Sequence, residues 1–113
     1  MEETIGDFCR LRGYRVECCG KIDRHHLIDK SKLRGCKAAQ KYVKANEAFF
    51  LVSVCNTHNA QTKLADTKAA QGTMWRQQVK DWGPEYCEDM LEGLRACFKG
   101  DVPEFRLEAL LEA

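Results

Sequence analysis

No apolar run in these 113 residues approaches the roughly 20 needed to cross a bilayer, so no membrane span is expected. The opening stretch, MEETIGDFCRLRG, is acidic and has no apolar core of the signal-peptide kind, which predicts a chain that stays in the cytoplasm of its host. No low-complexity tract and no repeat divides the chain, and its length is that of one domain, 1–113. Net charge is nearly absent, at +1. Histidine is scarce as well: His25 and His26 are adjacent, and His58 is the third and last.

Cysteine is the exception, with seven in the chain. An odd number in a reducing compartment argues against a disulfide framework. Cys87 and Cys97 fall in a helical pattern and read as small apolar core residues. Cys18, Cys19 and Cys55 flank the histidines and ask for another explanation.

The small net charge hides a polarity. Up to residue 70 there are 13 Lys and Arg against 8 Asp and Glu; from residue 71 onward there are 5 against 9. Lys21, Arg24, Lys30, Lys32, Arg34, Lys37, Lys41 and Lys44 crowd one stretch that holds only Asp23 and Asp29 in return. Such an excess beside a cluster of imidazoles points to a polyanionic partner, nucleic acid in the first place.

For local structure, YRVECC (14–19) has strand character, and FFLVSVC (49–55) is the strongest strand signal in the chain. Residues 21–46 lack sustained periodicity, with Gly35 as a break. NTHNAQTKLADTKAAQ (56–71) reads as a helix capped by Asn56 or Thr57. Beyond it Trp75, Val79 and Trp82 recur at helical spacing and are expected in the core. Pro84 suits the first turn of a further helix, whose apolar face carries Met90, Leu91, Leu94, Cys97 and Phe98. A final amphipathic helix, capped by Asp101, is expected to carry Phe105, Leu107, Leu110 and Leu111; it either packs on the core or makes a dimer contact.

The order is thus strand, His-His, long basic loop, Asn46, strand, and Asn59 in the first turn of a helix. The segments CCGKIDRHHL (18–27), Asn46 and VCNTHN (54–59) resemble the HNH family of nucleases. The resemblance covers under half of the chain. It implies an α+β fold with a ββα-metal core over about 14–70, a short two-stranded sheet, and a mainly helical extension over about 73–113.

It also implies roles. His25 and Asn59 would hold one divalent metal, His26 would be the general base, and Asn46 would orient His26 through hydrogen bonds to backbone. His58 competes with Asn59 for the metal. An amide oxygen is a hard donor, which favours Mg²⁺ or Mn²⁺ over Zn²⁺ or Ni²⁺. Lys21, Arg24, Lys30, Lys32 and Arg34 would contact DNA phosphates, and Asp23 could support an imidazole. Many family members add a structural zinc on two Cys-x-x-Cys pairs. Here Val16 stands three residues before Cys19, and His58 stands where the second half-pair would have cysteine. A zinc site can still be drawn from Cys55 and His58 with Cys19 and one of Cys18, Cys9 or Cys36.

The chemistry of phosphodiester hydrolysis suits these residue types. A neutral imidazole with a pKa of about 6.5 is a competent base at cellular pH, and a divalent metal can bind the phosphate and the leaving oxygen together. The expectation is a metal-dependent endonuclease acting on double-stranded DNA, of the small stand-alone type found in phages and mobile elements. Two alternatives remain: a zinc-stapled nucleic-acid-binding module without catalysis, and a structure-specific junction resolvase dimerised through the C-terminal helices.

Overall fold

A computed structural model describes residues 9–12 and 14–112. The acidic opening segment 1–8, on which the expectation of no signal peptide partly rests, lies outside the described residues. Two strands, β1 (Ile22–His26) and β2 (Leu51–Cys55), pair antiparallel from Ile22 opposite Cys55 to His26 opposite Leu51. The connection carries helices α1 (Lys37–Ala45) and α2 (Glu47–Phe50). After β2 come α3 (Lys68–Trp82), α4 (Pro84–Arg95) and α5 (Leu107–Leu111). The architecture is α+β, with a two-stranded sheet against a larger helical body. Among the described residues no helix is long and apolar enough to cross a membrane.

β2 is the centre of the molecule. Val52, Ser53, Val54 and Cys55 are all buried, so it has the continuous apolar character of a strand covered on both faces. Its free edge is covered by the chain start, where the Arg10 N–H donates to the Ser53 carbonyl (2.8 Å). Gln77 of α3 fixes that segment from outside by donating to the Arg10 carbonyl (2.7 Å), and Arg10 pairs with Asp81. Phe49 and Phe50 meet edge-on, and Phe49 also packs on Trp75, so α2 ties the sheet to α3. Buried Gln78 reinforces the joint by donating to the Phe49 carbonyl (2.7 Å).

Several sequence expectations are corrected. The first strand lies at 22–26, not 14–19. Arg15 takes a left-handed conformation (φ 63°), and Tyr14 and Val16 close turns on residues just before them, so the β-prone side chains there have no strand to pair with. The helix expected over 56–71 is broken. Residues Thr57–Gln61 form one wide π turn, Lys63 is left-handed (φ 56°), and Leu64–Asp66 make a 3₁₀ turn. Asn56 makes no capping bond; Thr67 caps α3 instead, accepting from the Ala70 N–H (3.2 Å). Residues 49–50 belong to α2 rather than to the second strand. Trp75 is buried, but Trp82 is a surface residue stacked on Tyr86. Asp101 pairs with Arg106 and caps nothing, while Phe105 and Leu107 fold the tail back onto α3 and α4.

Candidate functional site

The sheet and the π turn place two groups of side chains side by side. The first is a thiol cluster. Cys9, Cys18, Cys55 and His58 bring their donor atoms within 4.8 Å of one another. His58 Nδ1 lies 3.0 Å from Cys55 Sγ and 3.7 Å from both Cys9 Sγ and Cys18 Sγ. Zinc bonds of about 2.3 Å to sulfur and about 2.0 Å to nitrogen would put tetrahedral S and N donors about 3.5 Å apart. The four residues can therefore hold a metal, and the Cys₃His donor set suits a zinc-like ion.

Each ligand arrives by a different route. Cys9 comes with the segment laid along β2, and its sulfur accepts from the Cys55 N–H (3.2 Å). Cys55 ends β2, and His58 sits one turn later, fully buried. Cys18 comes from the loop before β1. That loop is drawn in by bonds from the Thr57 N–H and hydroxyl to the Cys19 carbonyl, and from the Asn56 N–H to the Lys21 carbonyl. Gly20 permits the approach: its φ is 84°, and an added Cβ would lie 2.9 Å from the Cβ of Asn56.

The polar atoms around the cluster are arranged for ligation. His58 Nε2 lies 2.8 Å from the Tyr14 carbonyl, an acceptor that fixes the ring with Nδ1 facing the sulfurs. Burial works against ionisation of Cys55, but hydrogen bonds from the His58 backbone and ring and the Cys19 backbone outweigh it and bring the thiol to about 6. Burial pushes the Cys9 thiol up to about 11.

This corrects the expected ligand set. Cys19 supplies backbone groups, and its thiol is not among the four converging donors. Of the pair only Cys18 brings its sulfur to the cluster, and it does so from an exposed position. Cys36 bonds the Cys97 carbonyl far along the chain and takes no part. Neither ring nitrogen of His58 contacts His25 or Asn59, since one faces the thiols and the other Tyr14.

The second group is the imidazole cleft. His25 Nδ1 lies 3.2 Å from Asn59 Oδ1, joining residues 34 positions apart. Both rings of the His-His pair line one cavity of about 300 Å³, with Arg24, Asp29, Lys30 and Asn59. His25 is buried, and its Nε2 has no hydrogen-bond partner among the described residues. Burial, then Lys30 and His25, holds His26 below the usual histidine range, with Glu47 and Asp29 opposing.

Asn46 stands elsewhere. It ends α1, donates from Nδ2 to the Tyr42 carbonyl (2.8 Å), and its own carbonyl accepts from the Phe49 and Phe50 N–H groups. It thus holds the turn that delivers Phe50, whose carbonyl accepts from the Leu27 N–H just past the histidines (2.9 Å). Any influence on His26 runs through backbone. Of the expected phosphate contacts, Arg24 and Lys30 line the cleft, Lys32 pairs with Glu104 (3.6 Å), and Lys21 and Arg34 are exposed outside it. Glu47, close enough to His26 to act on its charge, escaped sequence reasoning because nothing in its spacing tied it to the pair.

Comparison with family models, curated proteins and solved structures finds no match to this chain.

Proposed function

We propose that the chain is a metal-dependent endonuclease that hydrolyses phosphodiester bonds in DNA, with a site of the HNH kind. The observation that carries the reading is the meeting of His25 and Asn59 across 34 residues, with His26 lining the same cleft. Two ligands in adjacent positions around Mg²⁺, each about 2.1 Å from the ion, stand about 3 Å apart. The 3.2 Å between His25 Nδ1 and Asn59 Oδ1 is compatible with that spacing. Among the described residues the buried His25 ring also has no partner at its other nitrogen, so it has fewer contacts than its burial calls for.

In this reading His25 and Asn59 hold a hard divalent cation, Mg²⁺ or Mn²⁺. Once bound, the cation supplies charge stabilisation for the phosphate and the leaving oxygen. His26 takes the proton from the attacking water. Arg24 and Lys30 hold the flanking phosphates. The thiol cluster, loaded with zinc, fixes the loop before β1 to the turn after β2, and so sets the separation of His25 and Asn59.

Supercoiled plasmid incubated with Mg²⁺ or Mn²⁺ tests the proposal. Nicked or linear product is expected from the parent chain. His26→Ala should cut at least about a hundredfold more slowly, the usual worth of a general base. Equal cutting by the variant would remove His26 from its role. The thiol cluster also fits a second reading, a zinc-stapled module that binds nucleic acid without cutting. A gel shift with no product in any divalent ion would favour that one.

A further inference from the structure

A second cavity, of about 370 Å³, opens beside the cleft and shares His26 and Lys30 with it. Its floor is apolar, made by Leu33, Val43 and Leu51, and its rim carries Lys30 and Lys44. Gln40 and Glu47 face it from the remaining walls. The Gln40 amide is fixed by its donation to the Leu33 carbonyl (2.9 Å), which leaves its oxygen as an acceptor.

We infer that this cavity takes one unpaired nucleotide of the substrate strand, next to the phosphate that is cut. The inference rests on the endonuclease reading for its position and on the cavity's own chemistry for its occupant. An apolar floor suits the face of a base out of its stack, and two ammonium groups at the rim suit the phosphate attached to it. Gln40 and Glu47 offer acceptors to an exocyclic amine, a pairing used elsewhere to read adenine and cytosine. The volume falls in the range of about 300–1,000 Å³ that encloses small-molecule ligands, far below what a duplex needs. Because His26 belongs to both cavities, the occupant and the scissile phosphate lie on successive units of one strand. The site would then favour DNA with a nucleotide already out of the duplex, since an intact helix must first unpair one.

Three labelled DNAs of one sequence test this: a flush duplex, the same duplex with one unpaired nucleotide, and the single strand. Cutting is followed with Mn²⁺, and binding by fluorescence anisotropy with Ca²⁺ in its place. The parent chain should prefer the two forms with an unpaired nucleotide by about tenfold, the scale of one base contact. Lys44→Glu and Gln40→Phe, both at exposed positions, should bring that ratio close to one. A parent chain indifferent to the three DNAs overturns the inference, and so do variants that keep the ratio. If the parent chain cuts none of them, the endonuclease reading fails by itself, and the anisotropy ratio still decides what the cavity holds.

Discussion

Residues 68–112 are mainly helical around buried Trp75, Leu91, Leu94 and Phe105, whereas the described part of 9–66 combines two five-residue strands with the shorter helices α1 and α2 and a series of tight turns. The helical part closes its backbone hydrogen bonds locally. The other part reaches across long separations: Cys9 to Cys55, Thr57 to Cys19, His25 to Asn59. A two-stranded sheet is marginal alone in water. This one borrows α2 and α3 as a floor and has the thiol cluster as a clamp at its open end. The side chains of the proposed site all sit in the part that holds the thiol cluster.

Removing the clamp should have the largest effect. A structural zinc contributes about 10–16 kcal/mol of apparent binding free energy at neutral pH. On the proposed zinc-loaded reading, a strong chelator, or Cys55→Ser, should release one zinc per chain and raise hydrogen exchange in β1, β2 and the π turn, with α4 still protected. Exchange rising equally in both parts would erase the contrast. Trp75→Ala comes next, at about 3–5 kcal/mol for a large buried aromatic. Since Trp75 packs on Phe49, its loss should lower the urea midpoint of both parts.

A pair of glycine substitutions sharpens the distinction. Gly20→Ala forces a left-handed backbone and a clash with Asn56, and should destabilise by about 1–3 kcal/mol while lowering zinc retention. Gly93→Ala would run into the Tyr42 ring, whose hydroxyl donates to the Met90 carbonyl (2.8 Å), and should cost a similar about 1–3 kcal/mol. Its zinc content, measured by elemental analysis, should not change. Trp82→Ala should matter least, about 1 kcal/mol for a half-exposed stack on Tyr86, read from the thermal midpoint.

What could be read from the sequence follows the range of the interactions. The His-His pair, the apolar strand and the helices of the last third carry short-range signals and are present, but with shifted edges: the strand starts at Leu51, α4 stops at Arg95 before Cys97 and Phe98, and Trp82 lies at the surface. YRVECC has more β-prone residues than IDRHH, yet IDRHH is the strand, because pairing with β2 outweighs propensity. Lys63 gives no turn signal in sequence, so the break before α3 was invisible. Cys9 joins the cluster from 46 residues before Cys55, and no spacing rule reaches that far. The choice between Cys18 and Cys19 depended on which way the loop faced. Only the bonds from Asn56 and Thr57 settle that.

His58 and Asn59 are joined by one peptide unit, and the π turn aims the first at the sulfurs and the second at His25. Rotating that unit swings both side chains at once. The turn therefore acts as a fixed ruler between the two sites, and a residue inserted within it would throw both out of register, whereas extra length after Thr62 would disturb neither.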